Sequence, residues 1–178
     1  RMMNQIKKVG VIGAGTMGAG IAGQVANAGI DVWLLDLPSD GEDANMLSGK
    51  GLERLKDPDM PGLMSKEAEN LINLGNTRDH FHELADCDWI AEAVVERLDI
   101  KQSLYKKLND SCKKSTIITS NTSTIPIKLL TEGMPIEFCE RFAITHFFNP
   151  VRFMRLLELV RGEFTRDDVI STLHEFSE

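Results

Sequence analysis

The segment "KKVGVIGAGTMGAGIAGQVANAGIDVWLLD" leaves few folds open. A short apolar run, Lys8 to Ile12, ends in glycines spaced G-x-G-x-x-G; a helical stretch follows, Gly29 stops it, and a second apolar run from Asp31 ends at Asp36. That order describes a β-α-β unit with parallel strands, since parallel neighbours need a long crossover and a helix supplies it. Met17, Ile21 and Val25 recur along one side of the helix, while Gly18, Ala22, Gly23 and Ala26 keep a neighbouring stripe small enough to lie close to a sheet.

The run Gly13-Ala14-Gly15-Thr16-Met17-Gly18 is a weak signal alone, but here it closes a strand and opens a helix, and Asp36 follows 18 residues after Gly18. Gly13 permits the tight turn, Gly15 lets the backbone approach a pyrophosphate, and Gly18 allows close helix-strand packing. The helix N-terminus adds unpaired N–H groups and a positive dipole end. Asp36 suits the hydroxyls of an adenosine ribose, and its charge repels a 2'-phosphate. The following "LPSD" offers no cation to receive one, so NAD is expected over NADP.

Further along, "DWIAEAVVE", "STIITS", "RFAITHFF" and "MRLLELV" read as strands. Ile100 to Leu108 reads as a helix with Ile100, Leu104 and Leu108 on its inner side, and Ser123 or Thr124 can cap a helix that carries Pro126 in its first turn. Between Leu37 and Asn76 the pattern weakens to a polar, proline-containing excursion with one or two short helices, including one from Lys66 to Leu74 capped by Ser65. "TRDDVISTLHEFSE" opens another helix. Strands alternating with helices imply an α/β fold of the Rossmann type, a doubly wound, mostly parallel sheet with helices on both faces. Residues 1–178 suffice for one such domain.

Bulk properties narrow the partners. Twenty basic against 27 acidic residues give a net charge of −7, which disfavours nucleic acid. No apolar run is long enough to span a membrane, and none is expected as a partner. Cys87, Cys112 and Cys139 form no C-x-x-C pair, so neither a disulfide framework nor a metal site is indicated, and a cytoplasmic setting is expected. His80, His82 and His174 sit in polar surroundings and read as surface residues.

"VIGAGTMGAGIA", "EAVVERLDIK", "SNTSTIPI" and "THFFNPVRFMRLLELV" together resemble the NAD-binding domain of 3-hydroxyacyl-CoA dehydrogenases, in particular the subgroup fused to an enoyl-CoA hydratase. The resemblance implies fatty-acid β-oxidation chemistry, the interconversion of an (S)-3-hydroxyacyl-CoA and a 3-oxoacyl-CoA. It places His146 as the base that takes the hydroxyl proton, work that suits an imidazole near neutral pH, and Glu158 as the carboxylate that orients it. Ser123 matches the serine that bonds the substrate's 3-oxygen, though a helix cap competes for it. Glu96 and Lys101 match positions near the nicotinamide and its ribose, and Asn149 one that lines the nicotinamide and substrate side. Lys101 in the first turn of a helix also suggests a nearby anionic or polar ligand, because the dipole there disfavours a cation. Asn121 is a plausible lining residue.

Members of that family carry a further helical domain that closes over the acyl-CoA and forms a homodimer. Nothing in residues 1–178 corresponds to it, so this domain alone is expected to bind NAD and turn over weakly or not at all. Lys50, Arg54, Lys56 and Lys66 could meet coenzyme A phosphates. Two other functions stay open: the NAD-binding half of another 3-hydroxyacid-type dehydrogenase, and a non-catalytic dinucleotide-sensing module.

Overall fold

The computed structural model describes residues 6–59, 61–148 and 156–177. Seven strands form one sheet in the order β3-β2-β1-β4-β5-β6-β7. They are β1 (Lys8–Ile12), β2 (Asp31–Asp36), β3 (Ile72–Asn76), β4 (Trp89–Glu92), β5 (Ile117–Ser120), β6 (Phe142–Phe147) and β7 (Leu156–Arg161). The first six run parallel, and β7 returns antiparallel to β6. The helices are α1 (Thr16–Asn27), α2 (Met46–Leu55), α3 (Lys66–Asn70), α4 (Leu98–Ser111), α5 (Ile127–Leu130), α6 (Ile136–Glu140) and α7 (Asp167–Ser177), with a 3-10 turn at Phe81–Leu84.

Alternation along the strands feeds two cores. Val9 and Val11 point to the face covered by Ile21 and Val25 of α1 and Val169 and Leu173 of α7. Ile12, Ile90, Ile118, Phe142 and Ile144 point to the opposite face, under Tyr105 and Leu108 of α4 and Phe138 of α6. A sheet buried on both sides needs apolar residues at successive positions, which is why these strands read as short continuous apolar runs. The expected doubly wound architecture is therefore present.

Three local expectations fail. Ser65 does cap α3, accepting from the Ala68 N–H at 3.0 Å, but the helix ends at Asn70 and not at Leu74. Residues Ile72–Asn76 instead form β3, which pairs with β2 at the sheet edge. In α4 the inner face is Lys101, Tyr105 and Leu108, whereas Ile100 is 37% exposed. No side chain caps α5, whose N-cap is Pro126. Thr122 Oγ1 accepts from the Thr124 and Ile125 N–H groups just before it, so neither Ser123 nor Thr124 serves as the cap.

His80 is not a surface residue either. Its ring stacks on Trp33 with centroids 5.5 Å apart, and its Nδ1 accepts from the Asn76 N–H. Gly75 makes room, since a Cβ there would lie 2.7 Å from the ring.

Candidate active site

Parallel strands end on one edge of a sheet, and that edge gathers the predicted residues. The order of the strands reverses direction between β1 and β4, and the crevice opened there is where sheets of this kind take ligands. A groove of about 810 Å³ occupies it, lined among others by Gly13, Gly15, Asp36, Phe81, Val94 and Ile100. The exposed apolar side chains of Leu37, Val95 and Ile100 all face this groove, a surface suited to a flat aromatic base.

The three glycines differ in what requires them. Gly13 has φ +105°, and a Cβ on it would lie 2.3 Å from the Ala93 carbonyl oxygen. A Cβ on Gly18 would lie 1.7 Å from the Gly13 carbonyl oxygen. Both are demanded by the protein's own packing. Around Gly15 there is nothing within 4 Å of the Cβ position, and the helix it caps receives no side-chain hydrogen bond there. The bare approach to Gly15, with Thr16 and Met17 opening α1 behind it, is the space a pyrophosphate requires.

Asp36 clamps this loop. Its carboxylate accepts from Ala14 N–H at 2.7 Å and from Leu37 N–H at 2.7 Å. A carboxylate offers about four acceptor positions, so lone pairs remain for ribose hydroxyls. Arg54 of α2 donates to the Ala14 carbonyl at 2.7 Å, so Ala14 is held from both sides. Arg54 is thus committed to the glycine loop, and Lys56 and Lys66 both pair with Glu69.

On the other side of the groove, Lys101 departs from its surface-like sequence setting. Its side chain is 1% exposed; its ammonium donates to Glu92 and to the Val94 carbonyl at 3.3 Å, and it forms an ion pair with Glu96 at 3.3 Å. Two carboxylates and a carbonyl surround the ammonium, so a direct contact with a cofactor has to compete with them. The anion anticipated beside Lys101 is supplied by the protein itself. Glu92, also fully buried, accepts in addition from the Tyr105 hydroxyl and the Val94 N–H. Burial, followed by the Glu92 charge, pushes the Tyr105 phenol well above its usual range, so it stays a donor.

Glu96 gathers the loop that follows β5. Its Oε2 accepts from Thr122 Oγ1 at 2.7 Å, Ser123 N–H at 3.0 Å and Thr124 Oγ1 at 3.1 Å. Burial works to raise its pKa, but these donors and the Lys101 charge prevail and hold it at about 2. Ser123 is thereby fixed through its backbone while its side chain stands exposed. Asn121, next to it, donates its N–H to the Glu92 carbonyl, and its side-chain oxygen is buried without a hydrogen-bond partner.

His146 lies one residue before the end of β6, half-buried, and its register partner on β7 is Glu158. Side chains directly opposite on an antiparallel pair share a face, so β7 carries the carboxylate on the side of the sheet that carries the imidazole. On that same face Glu92, Ser120 and Ile144 stand in one row across β4, β5 and β6, and His146 is the next residue of that face beyond Ile144. Asn149 lies outside the described residues. Among the described residues no cluster of three or more His, Cys, Asp or Glu could hold a metal ion.

Sequence reasoning missed Glu92 and Tyr105. The i, i+4 spacing of Lys101 and Tyr105, with Leu108 beyond, marks the face of α4 on which Tyr105 lies.

The family model for the 3-hydroxyacyl-CoA dehydrogenase NAD binding domain matches residues 8–178. A Deinococcus radiodurans protein named "Probable 3-hydroxyacyl-CoA dehydrogenase" is 44% identical over 175 residues, 98% of this chain and 51% of that protein. The fatty acid oxidation complex subunit alpha of Psychrobacter cryohalolentis is 37% identical, over 95% of this chain and 23% of its own length. The crystal structure of the (S)-3-hydroxybutyryl-CoA dehydrogenase of Ralstonia eutropha superposes with a TM-score of 0.77 at 33% identity, covering 97% of this chain and 60% of that one. The chain thus spans about half of the first of these curated relatives and about a quarter of the second. By the family model and these identities, it belongs to the NAD-binding domain family of the 3-hydroxyacyl-CoA dehydrogenases.

Proposed function

We propose that this chain is the NAD-binding and catalytic half of a 3-hydroxyacyl-CoA dehydrogenase that interconverts (S)-3-hydroxyacyl-CoA and 3-oxoacyl-CoA in fatty-acid β-oxidation. The observation that carries this is the pairing of His146 with Glu158 at the sheet edge where the dinucleotide groove opens. A sensing module needs the glycine loop and Asp36 but has no use for that pair. The names of relatives support the pathway and the handedness, one being a fatty acid oxidation subunit and another an (S)-3-hydroxybutyryl-CoA dehydrogenase.

Bound NAD supplies the acceptor for the hydride leaving the substrate's carbinol carbon. His146 takes the hydroxyl proton in the same step and returns it in the reverse direction. Glu158 orients the imidazole and stabilises the imidazolium that forms. Ser123 donates to the ketone oxygen or accepts from the alcohol, as a hydroxyl can do both. Asn149 is assigned to the nicotinamide and substrate side by the family resemblance alone. The remainder of the protein closes over the acyl-CoA and forms the homodimer, and the cell compartment is the cytoplasm, where three free cysteines remain reduced. No helix among the described residues is long and apolar enough to cross a membrane.

The test is NADH consumption by the full protein in the presence of acetoacetyl-CoA. Turnover is expected; tight NADH binding with no turnover would sink the proposal.

A further inference from the structure

We infer that Glu92, anchored by the Tyr105 hydroxyl, is a positioning residue for Ser123 and acts on it through Lys101 and Glu96. The inference rests on the proposed role of Ser123 at the substrate oxygen. Glu92 ends β4 with its carboxylate fully buried, a placement that is unfavourable unless every lone pair finds a donor. One oxygen receives the Tyr105 hydroxyl, and the other receives the Val94 N–H and the Lys101 ammonium. Lys101 in turn holds Glu96, whose second oxygen collects the N–H of Ser123 and the hydroxyls on either side of it. The connection therefore runs without a gap from α4, through the end of β4, to the loop after β5.

A buried ion pair is weak evidence for stability, because apolar side chains of similar volume usually serve a core as well or better. What apolar side chains cannot do is fix the direction of a third group. Here the outer end of the network is the half-exposed Glu96, with a side-chain exposure of 38%, and its acceptors point at the backbone of the serine. The arrangement also explains why Lys101 faces inward. Glu92 outcompetes the groove for its ammonium, so the lysine bears on the site indirectly, by fixing Glu96.

The test uses the full protein with Tyr105→Phe and Glu92→Gln. Loosening the Ser123 loop is expected to lower kcat for acetoacetyl-CoA reduction about tenfold in Tyr105→Phe and about a hundredfold in Glu92→Gln, with KM for NADH within about twofold of wild type. Amide hydrogen exchange is expected to quicken in residues 121–125 and to stay unchanged in α1. Values of kcat within about twofold of wild type for both variants would overturn the inference. So would faster exchange spread over the whole sheet, the mark of a purely structural role. If Glu92→Gln does not fold, Tyr105→Phe decides alone. If the wild-type protein does not turn over acetoacetyl-CoA, the functional proposal fails separately. The exchange experiment then judges the inference by itself: quickening confined to residues 121–125 supports it, and unchanged exchange overturns it.

Discussion

At Gly13, Gly15 and Gly18 one motif combines two kinds of requirement, and substitution separates them. Gly13→Ala places a Cβ against the Ala93 carbonyl in a left-handed conformation, and is expected to destabilise the domain by at least about 2 kcal/mol. Gly15→Ala meets nothing and has φ −71°, so thermal denaturation should leave it within about 0.5 kcal/mol of wild type. Its NADH dissociation constant should nevertheless rise roughly tenfold or more, because the methyl stands where the pyrophosphate approaches. Equal NADH affinity in Gly15→Ala and wild type would remove the pyrophosphate from that position. The glycines and Asp36 stand out in the sequence because each is tied to the spacing of the β-α-β unit, whereas Ser123, His146 and Glu158 are singled out only by the family resemblance. Glu92 and Tyr105 stand out in neither way, since nothing in the sequence pairs a carboxylate on β4 with that face of α4, and its lysine looks like any solvated one.

Among the elements, the loop after β5 depends on ionised Glu96. Its folded pKa of about 2 lies below the ordinary carboxylate value of 4.5, so its contribution is fully present above pH 4.5 and is lost as pH falls from there toward about 2. Glu96→Gln should accordingly be less stable than wild type in urea at pH 7, with the gap closing across that interval. A gap that persists unchanged at pH 2 would assign the loss to packing. Element assignment itself was uneven. The strands β1 and β2 were bounded correctly because both faces of each are covered, whereas β3, "INLGN", is a half-polar edge strand directly after a helix and was absorbed into it. The phase of α4 was misjudged because Ile100 faces the groove, and Leu104 lines the groove while packing only partly against the core.

For the whole molecule, the described residues build a core on each face of the sheet, while the chain covers 51% of its Deinococcus relative. The isolated domain is therefore expected to bind NADH, followed by the increase in nucleotide fluorescence. On the proposed function, its turnover should fall at least about a hundredfold below that of the full protein, the remainder sharing in substrate positioning and water exclusion. Equal turnover would show that the site is complete within this domain. The central claim, that a dinucleotide groove and a proton-transferring histidine meet at one sheet edge, is tested most directly by His146→Gln in the full protein, with kcat and NADH affinity measured on the same sample. The expected result is a fall in kcat of about a thousandfold with NADH affinity within about twofold of wild type, and an unchanged kcat would contradict it.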